Sequence, residues 1–170
     1  KCVLIPANGR NGVIPNAMHL TTYPTYEAHG LIWIWWGNPA PEALPEPEFF
    51  DNLDETFFHA TVQDPWEVHY SRAIENQLDV VHLPFVHRNT IGRGNRTVVD
   101  GPVVEWKGDR MLYTYVFNRL DDGTPPRKSS TLSPKFVSSV HLEFIFPNLW
   151  QNYISDDVRI LVAFVPVDEE

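Results

Sequence analysis

One cysteine, Cys2, occurs in 170 residues, which excludes an internal disulfide framework and fits a reducing, cytoplasmic setting. Positive charge is also scarce. Thirteen Lys and Arg stand against twenty-two Asp and Glu, a net charge of −9, and such a chain is repelled by nucleic acid and by anionic membranes. No apolar run is long enough to span a bilayer, and the first residues lack the pattern of a signal peptide. What is abundant is aromatic and proline: six Trp, six Tyr, ten Phe and fifteen Pro. The aromatics read as sheet and core packing, and the clustered prolines mark boundaries.

The most informative stretch is Glu75-Asn76-Gln77-Leu78-Asp79-Val80-Val81-His82-Leu83-Pro84-Phe85-Val86-His87. At about 100° per residue, Asn76, Asp79 and His82 share one side of a helix with Arg72 and Glu75. Trp66, Tyr70, Ala73, Ile74, Leu78 and Val81 gather on the other side, as a core-facing stripe. Asp64-Pro65-Trp66-Glu67 carries the signals of that helix's start: Asp as N-cap, Pro in first position and a Glu completing a capping box. Pro84 has no N–H and clashes with the turn before it, so the helix is expected to end near His82 or Leu83. The chain then turns, and His87 comes back towards His82 from another direction, as a metal ligand pair requires.

The spacing Asn-x-x-Asp-x-x-His-x-x-x-x-His resembles the iron-binding motif of the Rieske non-haem iron oxygenases, a family of aromatic-ring hydroxylases and oxidative demethylases. The resemblance makes His82 and His87 ligands of a mononuclear Fe(II), with open positions for dioxygen. It makes Asp79 the bridge towards the iron–sulfur cluster of a neighbouring subunit, and Asn76 a supporting residue. The third ligand in this family is a carboxylate much later in the chain. Asp156, Asp157, Asp168, Glu169 and Glu170 do not match it, so it is expected beyond Glu170.

Upstream, Thr22 to Glu27 and Leu31 to Trp36 read as two strands joined at His29-Gly30. Leu31-Ile32-Trp33-Ile34-Trp35-Trp36-Gly37-Asn38-Pro39 resembles the closing strand of the Rieske domain in the same family. There, a Cys-x-His and a Cys-x-x-His pair hold a two-iron, two-sulfur cluster. Neither pair occurs here, and Cys2, His19 and His29 are assigned to no cluster. The economical expectation is a chain that begins after the cluster ligands. It divides into a Rieske remnant over 1–37, a stiff Pro/Glu linker over 38–50 and a catalytic domain over 51–170.

Phe57 to Gln63 reads as a strand. Arg88 to Arg96 is a basic, glycine-containing loop without the strand–loop–helix context of a phosphate cradle. Strand signals follow at Thr97 to Trp106, Met111 to Arg119, Val137 to Phe146, Leu149 to Ile154 and Val158 to Val167. Turns are expected at Lys107-Gly108-Asp109-Arg110 and Ser155-Asp156-Asp157, with a long loop from Leu120 to Pro134. One helix and a run of antiparallel strands is an α+β pattern. The resemblance sharpens it to a helix-grip fold of the START/Bet v 1 kind, a curved sheet around a long helix.

The implied function is the oxygenase component of a mono- or dioxygenase acting on an organic, aromatic or cyclic substrate. Electrons would come from NAD(P)H through a reductase or ferredoxin, and the oligomer would be a homotrimer. Two other classes fit parts of the pattern: a metal-free helix-grip carrier of hydrophobic ligands, and a zinc hydrolase.

Overall fold

The computed structural model describes residues 2–37, 42–43, 53–92, 94–133 and 140–168. Almost all of the Pro/Glu stretch at 38–50 therefore lies outside the described residues. The chain forms two compact units, Lys1–Asp54 and Glu55–Glu170.

The first unit is built on a hairpin of β1 (Thr25–Ala28) and β2 (Leu31–Ile34), paired from Thr25↔Ile34 to Ala28↔Leu31. His29 and Gly30 both have positive φ, 56° and 73°. That is the backbone of a two-residue turn whose twist matches the strands it joins. Tyr26, Ala28, Leu31 and Trp33 are half-buried on one face, with the Trp33 indole N–H donating to the Ala28 carbonyl at 3.0 Å. Ile32 and Ile34 are exposed on the other face. No described residue of this unit is fully buried, as a lone two-stranded hairpin would lead one to expect.

The second unit is α+β. Two helices, α1 (Tyr70–Leu78) and α2 (Leu83–Val86), precede a five-stranded antiparallel meander: β3 (Val98–Lys107), β4 (Met111–Arg119), β5 (His141–Ile145), β6 (Leu149–Tyr153) and β7 (Arg159–Ala163). The turns fall where the sequence places them, with Gly108 at φ 66° between β3 and β4. Ser155 and Val158 close the turn before β7 by backbone hydrogen bonds. β7 is shorter than the apolar run at 158–167. Phe164 leaves the ladder to donate its N–H to the Asn148 carbonyl at 2.9 Å, and Pro166 has no N–H to continue it.

The register sorts the sheet into two faces. Leu112, Thr114, Leu142, Phe144, Trp150, Asn152 and Val162 share one of them, as cross-strand partners. This face meets α1: Ala73, Val80, Leu142, Phe144, Trp150 and Phe164 form the buried cluster, flanked by Ile74, Leu78, Val99, Leu112 and Val162. Met111, Tyr113, Tyr115, His141, Glu143, Gln151 and Tyr153 line the opposite face.

Three expectations need correction. Phe57 to Gln63 forms no strand and Phe58 is fully exposed, because these apolar residues find no ladder to join. α1 does not start at Asp64, whose carboxylate instead accepts the Trp66 indole N–H at 2.7 Å. Its N-cap is His69, which accepts the Ser71 N–H through ring Nδ1 at 3.3 Å. Nor does α1 reach His82, since it stops at Leu78 with Asp79 as C-cap in an extended conformation.

Candidate metal centre

The end of α1 sets the geometry that follows. Asp79 Oδ1 accepts the Val81 N–H at 2.7 Å, a local turn in which a short carboxylate competes with the helix for backbone donors. This breaks the helical phase, so Val80 is buried in the core and Val81 faces out. Asn76, Asp79 and His82 consequently do not lie in one row along a helix. Asn76 is exposed, its side-chain oxygen accepting from Gln77 Nε2 at 3.4 Å.

Pro84 acts as a helix starter rather than a terminator. It lies in the first turn of α2, where a missing N–H costs nothing, and it is buried. His82 is the N-cap residue of α2 and His87 its C-cap residue. A single turn of helix between them brings the rings to 5.3 Å between centroids, tilted 67°. The His82 carbonyl accepts the N–H groups of Phe85 and Val86, at 3.0 and 2.8 Å. The His87 carbonyl accepts those of Thr90 and Gly92, both at 2.9 Å, and the Thr90 hydroxyl at 3.2 Å. Gly92 is required by close approach: a Cβ there would stand 2.0 Å from the Leu83 carbonyl oxygen. The part of the 88–96 loop that follows His87 is thus packed beneath α2.

Asp79 Oδ2 lies 3.2 Å from His82 Nδ1, with the His82 side chain 17% exposed. The approach lacks hydrogen-bond geometry, and Nδ1 is buried without a hydrogen-bond partner. A buried imidazole nitrogen facing a carboxylate is the arrangement that fixes the tautomer of a metal-binding histidine and leaves its other nitrogen to the metal. Two imidazoles 5.3 Å apart, one of them with its Nδ1 turned to a carboxylate, fit a metal ion as a partial donor set. Among the described residues no group of three or more His, Cys, Asp and Glu could hold one.

Sequence reasoning passed over a second titratable cluster. His141 Nε2 lies 2.6 Å from Glu143 Oε1, and Gln151 Nε2 donates to Glu143 Oε2 at 2.9 Å. Tyr153 and Tyr113 stack on His141, with centroids at 4.6 and 5.4 Å. Arg159 and Lys107 cap the row over Tyr153 and Tyr113. The available signal was the alternation of His141 and Glu143 in a strand, which puts both on one face. Burial and the Glu105 carboxylate push the Tyr115 phenol up; the hydrogen bond to Asp156 does the same for Tyr153.

A third cluster ties the 120–128 loop to the sheet. Asp100, 1% exposed, receives Arg119 Nε at 3.2 Å, Arg127 Nε at 2.8 Å and the Arg127 backbone N–H at 2.8 Å. Burial alone would raise its carboxyl, but the Arg127 hydrogen bonds and the charges of Arg119 and Arg127 hold it below the usual range. Hydrogen bonds from Thr124, joined by Arg119, lower Asp122 to about 2.

No described helix is long and apolar enough to cross a membrane. The profile of the vanillate O-demethylase oxygenase C-terminal domain family matches residues 66–170. The iron-sulfur subunit of the toluene-4-sulfonate monooxygenase system of Comamonas testosteroni is 32% identical over 111 residues, 61% of this chain and 29% of that protein. The oxygenase component of dicamba O-demethylase from Stenotrophomonas maltophilia is 24% identical over 163 residues, 94% of this chain and 44% of its own length. The vanillate O-demethylase oxygenase subunit of a Pseudomonas species is 28% identical over 101 residues, 55% of this chain and 28% of that subunit. The chain thus spans less than half the length of these relatives. No solved structure matches it. With a family profile covering both histidines, their short helix and the whole sheet, the chain belongs to the vanillate O-demethylase oxygenase C-terminal domain family of the Rieske non-haem iron oxygenases.

Proposed function

We propose that this chain carries the mononuclear iron site of an oxygenase component that inserts oxygen from O2 into an organic, aromatic or cyclic substrate. The observation that supports this most directly is the pairing of His82 and His87 across one helical turn, their centroids 5.3 Å apart. His82 and His87 would hold the metal, with the third ligand, a carboxylate, supplied from outside the described residues. Held there, Fe(II) supplies dioxygen activation, with electrons delivered from a Rieske two-iron, two-sulfur cluster and an NAD(P)H-dependent reductase or ferredoxin.

The chain's own residues prepare that chemistry. Asp79 Oδ2, 3.2 Å from His82 Nδ1, would favour the tautomer protonated at Nδ1 once the two draw into hydrogen-bond geometry, which would leave the lone pair of the other ring nitrogen for the metal. Its side chain is also 46% exposed, which suits a role as the contact to a neighbouring subunit in a homotrimer. Pro84 and Gly92 fix α2, and with it the spacing of the two rings. The α1-facing side of the sheet, in a helix-grip arrangement, excludes water from the substrate. Residues 1–37 are assigned to the end of a Rieske domain, 38–50 to a linker and 51–170 to the iron domain, in a cytoplasmic enzyme. Asn76, one helical turn before the Asp79 cap, is kept as a supporting residue.

Metal content tests the reading. The protein is expected to take up iron, and His82→Ala and His87→Ala each to lose most of it, because each ligand bond carries a large share of the affinity. Full iron retained in both variants, or zinc in place of iron, would refute it.

A further inference from the structure

The first unit holds a cavity of about 450 Å³ lined by Cys2, Ala17, Met18, His19 and Leu20. Local structure builds one wall of it. Asn16 and Ala17 form a turn, closed by the Met18 N–H donating to the Pro15 carbonyl at 2.9 Å. Met18 and His19 follow directly from that turn, and Cys2 completes the lining from the start of the chain. An exposed methionine or a surface histidine needs no explanation singly. Here a thiol, a thioether and an imidazole border the same space, and the other two lining residues are apolar. Counted over His and Cys the cluster has two donors; the Met18 thioether is the third.

Each donor is in a state to bind. Cys2 is half-buried and free of any disulfide, and its Sγ makes a long 3.6 Å contact with the Leu4 carbonyl. His19 Nδ1 donates to the Asn16 carbonyl at 2.5 Å. That bond puts the ring proton on Nδ1 and leaves the Nε2 lone pair free, the arrangement that orients a metal-bound imidazole. Met18 is 53% exposed, so its flexible side chain is not locked into a core. We propose that this cavity is a soft-metal site, holding Cu(I) between Cys2 Sγ, Met18 Sδ and His19 Nε2. Thiolate and thioether donors select copper(I), whereas zinc sites draw on Cys, His and carboxylates. On binding, the Cys2 S–H bond breaks, an S–Cu bond forms and the proton leaves to solvent, with no electron transferred. The site stands apart from the oxygenase reading, since His82 and His87 belong to the second unit.

The test is an anaerobic titration of the full chain with copper(I) held by a chromophoric chelator, read as copper withdrawn from the chelator. One Cu(I) per chain is expected, with the same affinity in a variant carrying both His82→Ala and His87→Ala. Met18→Leu keeps the side-chain volume and removes the thioether, and His19→Gln removes the imidazole. Each should weaken binding at least about tenfold, the low end of what loss of even an outer-shell partner costs a metal site. Cys2→Ser should weaken it further. Wild-type affinity in both Met18→Leu and His19→Gln would mean that the thiol captures copper alone, and the proposal falls. It falls equally if the His82 and His87 variant loses the copper, or if Zn(II) binds the wild type as tightly as Cu(I). If Cys2→Ser fails to fold, Met18→Leu and His19→Gln still decide.

Discussion

Two clusters of titratable side chains in the second unit are built on opposite principles. Around Asp100, two guanidiniums and a backbone N–H converge on one buried carboxylate, and Arg119 also reaches the carbonyls of Thr124 and Pro125, both at 3.1 Å. Around His82, a buried nitrogen faces a carboxylate without hydrogen-bond geometry. The first cluster is complete and holds a loop to a sheet. The second is incomplete, and its backbone rather than its side chains is what the structure secures. A satisfied buried network contributes to architecture, while an unsatisfied one costs stability that a ligand can restore.

That contrast can be broken most forcefully at Asp100. Asp100→Ala leaves Arg119 and Arg127 without their shared partner and is expected to destabilise the protein by about 3 kcal/mol, read as a lower urea midpoint with an unchanged slope. The pH dependence follows from its lowered pKa. A carboxyl held below its unfolded value contributes stability that is fully present above the unfolded pKa, roughly 4. That contribution is lost as pH falls through the folded value. Asp100→Asn should therefore flatten the acid side of the stability profile below about pH 4. A stability profile identical to wild type would place the network at the surface of the energetics.

Gly92 joins backbone packing to the proposed metal centre. Gly92→Ala puts a methyl against the carbonyl oxygens of Leu83 and His87, at 2.0 and 2.8 Å. The expected cost is about 1–3 kcal/mol by overpacking, with iron uptake reduced because α2 must shift. Unchanged uptake in a destabilised variant would mean that the ring pair does not depend on this loop.

A smaller effect is expected where α1 begins. His69→Ala removes the acceptor for the Ser71 N–H and should cost about 1 kcal/mol, while His69→Asp should keep or improve stability. The smallest effect is expected at His82 itself. His82→Leu removes an unpaired nitrogen, so its cost in thermal stability should stay below about 1 kcal/mol even as metal binding is lost. A large loss of stability without metal would show that the imidazole is already satisfied.

Much of this organisation is legible residue by residue. The strand signals at Met111 to Arg119 and Leu149 to Ile154, and the His29-Gly30 turn, need only neighbours in sequence, and the structure keeps them within a residue or so. The helix before His82 was legible in kind but not in extent. Asp64 found the Trp66 indole before it found a helix to cap, and Asp79 found the Val81 N–H. Both are competitions between local hydrogen bonds of similar strength, which periodicity does not resolve. Trp150 and Asn152 look, in sequence, like any alternating strand; only the packing of α1 onto their face buries polar atoms there without a partner.

By itself, then, the sequence determined the α+β pattern, the family and the spacing of the two histidines around a proline. These follow from short-range steric rules and from residue types that chemistry restricts. The tertiary structure alone decided that Pro84 opens a helix instead of closing one, so that the two imidazoles meet across a helical turn and not across a loop, that Asp100 is buried under two arginines, and which polar atoms are left unpaired. Each of those outcomes depends on contacts between residues distant in the chain or on the balance of nearly equal local bonds, and neither is written in the order of the residues.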